Sequence, residues 1–197
     1  MKTFIYKITV IGDGMVGKTS LCRRYMGESF SGDYLATIGA QVHVKKVDVG
    51  GKKFKFQIWD IAGQPSWEAL RKPYYYGAAG TVVVSDISRF ESFENAPKWI
   101  AKQWSDGGKM IPTIVIGNKM DLRESIPAAI APDQGKLLAK ELSAKSKPAG
   151  FDVSYLETSA KTGENVQQAF ALLARNIMAH LEMNSASNAE NTSFETE

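Results

Sequence analysis

The chain has one cysteine, Cys22, in 197 residues, which excludes an internal disulfide and fits a reducing compartment. It has no run approaching the roughly 18 apolar residues that a membrane helix needs. Lys2 follows Met1, so the glycine required for N-myristoylation is missing, and MKTFIYKITVIGDG is too charged for a secretory leader. After Glu182 there is no lysine, arginine or cysteine; the closing MNSASNAENTSFETE offers neither a prenylation cysteine nor a polybasic patch. That segment is also poor in apolar residues, and residues 183–197 are expected to be a disordered acidic tail. The formal net charge of +3 is spread along the chain, which argues against nucleic acid as a partner. The expectation is a cytoplasmic, monomeric protein; membrane association would need a partner or a C-terminal anchor absent from this sequence.

Hydrophobic residues at 44% and charged residues at 23% suit one folded domain, placed at residues 1–182. Strand and helix patterns alternate along it. FIYKITVI (4–11) reads as a strand running into a glycine-rich turn, and 18–26 as a helix ended by Gly27. VHVKKVDV and KFKFQIWDI alternate around Gly50-Gly51, a hairpin signal. TVVVSD (81–86) and PTIVIGN (112–118) are continuous apolar runs, as in strands covered on both faces, and SYLETSA is a weaker last strand. Helical patterns occupy 92–105, 132–145 and 166–182, with Pro97 either delaying or kinking the first. The pattern predicts an α/β fold: a six-stranded, mostly parallel sheet with one antiparallel strand and helices on both faces. In such sheets ligands bind beyond the carboxyl ends of the strands.

Four stretches at those ends carry chemistry. GDGMVGKT (Gly12, Asp13, Gly14, Met15, Val16, Gly17, Lys18, Thr19) matches G-x-x-x-x-G-K-[ST] in full, between a strand and a helix. Its glycines let backbone N–H groups wrap phosphate, Lys18 reaches the outer phosphates, and the Thr19 hydroxyl suits Mg²⁺. Asp60, ending FQIWD, stands where a P-loop nucleotidase holds a metal-directed carboxylate. Asp86, also ending a strand, reads as a turn or cap. NKMD (Asn118, Lys119, Asp121) favours guanine, whose two adjacent donors match one carboxylate; adenine presents an acceptor there. TSAK (Ser159, Ala160, Lys161) follows the next strand and would offer the Ala160 N–H to the guanine carbonyl.

GDGMVGKT, WDIAGQ, NKMD and ETSAK in this order resemble the Ras superfamily of small GTPases over residues 4–182. TIG, YYYGAAG and DISRFESFENAPKWI look most like its Rab branch. The resemblance implies further roles. Ser20 joins the phosphate loop, Phe30 and Tyr34 flank the nucleotide, and Thr37 binds Mg²⁺ and senses the γ-phosphate. Gly63 contacts that phosphate and Gln64 orients the attacking water, with Lys18 and Thr37 assisting catalysis. Two switch loops, about 30–40 and 60–77, would bind effector, exchange factor and GTPase-activating protein. No arginine or lysine lies between Glu28 and Thr37 to serve in cis. Turnover is therefore expected on the order of 10⁻⁴ to 10⁻³ s⁻¹ without an activating partner.

Three features depart from the family pattern. Pro65 follows Gln64 where an acidic residue is usual; it either fixes the start of the second switch helix or holds Gln64 away from its water. ESIPAAIAP and SAKSKPAGFDVS lengthen the path from Asn118 to Ser159, as partner-binding or neutral loops. The chain ends in FETE, compatible with action off membranes, recruitment by a partner, truncation, or a lineage without prenylation. Two rivals to a hydrolytic switch are a hydrolysis-deficient GTP/GDP-binding module and an ATP-dependent P-loop kinase.

Overall fold

FIYKITVI forms β1 (Phe4–Ile11), whose last four residues are buried. The computed structural model describes residues 4–32 and 36–193, with side chains as far as residue 185. Helix α1 (Lys18–Met26) begins after Gly17 at φ +93° and stops at Gly27 at φ +99°. Glycine takes this left-handed backbone without a Cβ penalty. β2 (Ala40–Val49) and β3 (Lys52–Ile61) form the expected hairpin. Gly50 and Gly51 both have positive φ, as a type I′ turn requires.

A 3₁₀ helix (Pro65–Leu70) and the short α2 (Lys72–Tyr75) lead to β4 (Ala78–Asp86). Then come α3 (Phe90–Asp106), β5 (Thr113–Asn118), α4 (Pro132–Ser146), β6 (Ser154–Thr158) and α5 (Val166–Ser193). The strand order is β2-β3-β1-β4-β5-β6, with β2 antiparallel to β3 and every other pairing parallel. β1 lies between β3 and β4, so the loop after it opens at the switch point of the sheet, where ligands bind.

The period of two along the central strands feeds two cores. Ile8 and Val10 of β1, Val82 and Val84 of β4, and Ile114 and Ile116 of β5 pack with Leu21, Phe170 and Leu173 of α1 and α5. Ile11, Val83 and Val115 face the other way, onto Ile100, Trp104 and Leu142 of α3 and α4. Because both faces are covered, these strands read as unbroken apolar runs.

Pro97 lies inside α3 and does not delay it; its ring removes the N–H that would bond the Phe93 carbonyl. α5 continues through Ser193, whereas the sequence reading ends the folded domain at 182. Extending a nucleated helix costs little per residue, so composition alone places its end poorly. Both lengthened loops are pinned to the body. Ile130 is buried and its N–H donates to the Ile87 carbonyl at 2.9 Å. Phe151 packs edge-on against Trp104 and His180.

Candidate functional site: a nucleotide cavity at the strand ends

Gly12 to Gly17 form a tight loop between β1 and α1. Gly12 has φ +134°, and a Cβ there would strike the Val84 carbonyl. Met15 adopts φ +66°, at a cost of roughly 1–2 kcal/mol for a non-glycine residue. Alternating left- and right-handed backbone of this kind turns successive N–H groups toward an anion. Lys18 crosses beneath the loop, its Nζ donating to the carbonyls of Gly12 (2.9 Å) and Asp13 (2.6 Å). Burial, only partly opposed by Asp60, pushes its pKa down to about 8. A Cβ on Gly63 would run into the Gly12 carbonyl and Lys18 Nζ, so residue 63 must be glycine for β3 to approach this closely.

Three oxygens meet at the base of the loop. The Thr19 hydroxyl donates to Asp60 Oδ2 at 2.5 Å and lies 2.8 Å from the Thr37 hydroxyl. Asp60 is fully buried and its Oδ1 has no partner among the described residues. Burial raises its carboxyl pKa, against the pull of the Thr19 hydrogen bond and Lys18. One carboxylate and two hydroxyls are hard oxygen donors, and Oδ1 keeps a lone pair that no described group takes up. This set fits Mg²⁺, which keeps waters and phosphate oxygens as its other ligands.

Asn118 binds three segments together. Its Nδ2 donates to the Val16 carbonyl at 2.9 Å, and its Oδ1 accepts from Ala160 N–H and Thr158 Oγ1, each at 3.1 Å. Lys119 takes φ +66° and its Nζ pairs with Asp86 at 2.6 Å. Asp86 also accepts from the Ser88 N–H and hydroxyl, so it is a turn residue that additionally steadies the lysine. Ser159 Oγ donates to Asp121 Oδ1 at 2.6 Å, fixing that carboxylate.

One cavity of about 420 Å³ joins these parts. Gly14, Met15, Gly17, Lys18, Thr19 and Ser20 line one end with Thr37, Gly63 and Gln64; Asn118, Lys119, Asp121, Ala160 and Lys161 line the other, and Phe30 also borders it. Gly12, Asp13, Val16, Asp60 and Ser159 stand behind the lining and support it. Tyr34 lies outside the described residues.

Gln64 precedes the 3₁₀ helix in extended backbone (φ −68°, ψ 143°), with Pro65 in the first turn. This is the conformation a residue before proline prefers. The helix begins at the proline, and the Gln64 side chain lines the cavity with its Oε1 buried and without a partner among the described residues.

Several contributors escaped the sequence reading. Arg24 donates to the carbonyls of Ala160 (3.0 Å) and Lys161 (2.6 Å), latching the TSAK loop to α1. Arg23 lines the cavity as well. The Asp13 carboxylate turns away from the cavity to accept from Trp99 Nε1 (2.7 Å) and Asn95 Nδ2 (2.9 Å). A helical spacing of four between Asn95 and Trp99 was the only available signal, and it reads equally well as core packing.

A complete P-loop motif facing the NKMD and TSAK segments across one cavity is the arrangement of a P-loop nucleotide-binding protein of the small G-protein class. The model of the Ras family matches residues 7–179. Ras-related protein Rab-8B of Homo sapiens is 34% identical over 188 residues, covering 94% of this chain and 86% of the relative. Ras-related protein Rab-13 of Canis lupus familiaris is 36% identical over 174 residues (88% and 80%), and Ras-related protein RABD1 of Arabidopsis thaliana 35% over 190 (96% and 86%). The chain belongs to the Ras family, as a Rab-like small GTPase.

Proposed function

We propose that this GTPase works as a Mg²⁺-dependent molecular switch, in which the γ-phosphate orders two loops that bind partners. The observation that carries the reading is the meeting of Thr19, Thr37 and Asp60 at the base of the phosphate loop. Thr37 comes from the first loop, so holding it there couples that loop to the metal and phosphate. Mg²⁺ supplies positive charge beside the β- and γ-oxygens when it is bound. Thr19, Thr37 and Asp60 would hold it, and Lys18, bonded to the Gly12 and Asp13 carbonyls, would present its ammonium to the phosphate oxygens. The Gly63 N–H faces the γ-phosphate, and Gln64 presents its unpartnered Oε1 to the attacking water. Asp121 accepts the two guanine donors, held in orientation by Ser159, and the Ala160 N–H meets the guanine carbonyl.

Loss of the γ-phosphate frees Thr37 and Gly63, releasing residues 30–40 and 60–77. Effector, exchange factor and activating protein bind there, and the activating protein brings an arginine. The decisive test is competition of GDP against ADP, followed by single-turnover GTP hydrolysis. GDP should win by orders of magnitude and phosphate should appear slowly. Preference for ADP would end the assignment of Asp121 to guanine.

A second reading, stable nucleotide binding without hydrolysis, draws on Pro65. It predicts tight GDP and GTP binding with no phosphate release in the same assay.

A further inference from the structure

Arg71 ends the 3₁₀ helix of the second loop, yet it is buried, with only 4% of its surface exposed. Its guanidinium makes two directed bonds into the segment that carries Gly63. Nε donates to the Ala62 carbonyl at 3.0 Å and Nη2 to the Gln64 carbonyl at 2.5 Å. Its planar face lies 4.3 Å from the centre of the Trp99 ring. Trp99 in turn donates its indole N–H to Asp13 of the phosphate loop, whose own carbonyl holds Lys18. Asn95, one turn earlier on α3, takes the other Asp13 oxygen.

A flat, five-donor cation suits this place in a way lysine does not. It clasps two carbonyls on either side of one glycine while stacking on an indole.

We propose that Arg71 is the positioning residue for Gln64, and that Trp99 and Asp13 form its seat, tying the second loop to the phosphate loop through α3. This rests on the hydrolytic reading above. The chain of contacts fixes Gln64 relative to Lys18, so the water-orienting amide and the phosphate-holding ammonium keep one geometry. Arg71 does not touch substrate; it acts by holding the Gln64 backbone.

The test compares Arg71→Ala, Arg71→Lys, Trp99→Phe and Gln64→Ala in the full chain, reading single-turnover GTP hydrolysis and GDP release separately. Arg71→Ala should slow hydrolysis on the order of 10- to 100-fold, the scale of a misplaced catalytic group. GDP release should stay within about twofold, since GDP does not engage Gly63 or Gln64. Arg71→Lys should recover only part of the rate. Trp99→Phe keeps the stacking face and removes the bond to Asp13, so it should slow hydrolysis less than Arg71→Ala. In the Gln64→Ala background, Arg71→Ala should add nothing. A further additive loss there, or an equal effect on GDP release, would mean that Arg71 only supports the fold and would overturn the proposal.

If the wild type binds GDP but releases no phosphate, the hydrolytic reading has failed on its own. The relay is then judged from the Trp99 indole ¹H–¹⁵N resonance. It should differ between the GDP- and GTPγS-loaded protein, and the difference should vanish in Arg71→Ala. An identical resonance in both states overturns the relay.

Discussion

Asn118 and Val16, far apart in sequence, are joined by a 2.9 Å hydrogen bond from the Asn118 amide to the Val16 carbonyl. That bond fastens the base-reading loop directly to the phosphate loop, and a Cβ on the intervening Gly17 would collide with the same amide. The two halves of the nucleotide site thus share one buried side chain. Asn118→Ala would strand the Val16 carbonyl and the Ala160 N–H, each at about 1–3 kcal/mol. GDP release should accelerate on the order of 10- to 100-fold for each such group lost, and fluorescent GDP displacement measures it. An unchanged release rate would mean that the loops are held together by something else.

Ser159 gives a milder version of this test. Its hydroxyl orients the Asp121 carboxylate and accepts the Thr162 N–H at 3.0 Å. A hydrogen bond to a charged group is worth about 1.5–3 kcal/mol, so Ser159→Ala should lower GDP affinity roughly 10- to 100-fold. On the proposed role of that carboxylate in telling guanine from adenine, the ratio of GDP to ADP affinity should fall with it. Equal weakening of both nucleotides would place Ser159 outside base recognition.

Proton linkage follows from Lys18. Burial disfavours its ammonium and pushes its pKa down to about 8, below the usual 10.5. Phosphates beside Nζ restore the charged form and raise the value. Below pH 8 the ammonium is present in both states, and affinity does not depend on this group. Above pH 8 the free protein loses the proton that the complex must regain, so GDP affinity should fall by up to about tenfold per pH unit. Calorimetry in buffers of differing ionisation enthalpy should show proton uptake at pH 9 and little at pH 7. No uptake at pH 9 would contradict the geometry around Lys18.

The metal makes a further prediction. Chelation of Mg²⁺ should speed GDP release by about tenfold or more, because a divalent cation beside phosphates contributes several kcal/mol. Asp60→Ala removes the carboxylate with the unpartnered Oδ1, and it should leave release fast and nearly insensitive to EDTA. Retained sensitivity would place the cation elsewhere.

What the sequence made legible follows from what is local. GDGMVGKT needs its glycines for backbone reasons, so its loop can be read without coordinates, and NKMD is proposed for guanine from the chemistry of its carboxylate alone. Continuous apolar runs located β4 and β5, because residues adjacent in sequence alternate between two cores and both faces are covered. The supports were not legible. Arg71, Trp99 and Arg24 act through carbonyls and ring faces brought close only by folding, and no spacing announces such partners. Asp86 resembled an ordinary turn residue until Lys119 was seen folded onto it.

Pro65 poses the sharpest remaining test. Its ring restricts Gln64 to extended backbone, and Gln64 is found there at φ −68° and ψ 143° with its side chain on the cavity wall. The missing N–H lies in the first turn of the 3₁₀ helix, where an N–H has no helical partner anyway. Arg71 already holds the Gln64 carbonyl, so the proline is not needed to fix it. Pro65→Glu should therefore change single-turnover hydrolysis by less than the roughly 10-fold effect of a displaced catalytic group. It should also lower stability by about 0.4–1 kcal/mol through the freer unfolded chain, seen as a lower melting temperature. A gain in hydrolysis of tenfold or more would show instead that the proline holds Gln64 back, and would favour the non-hydrolytic reading of the native chain.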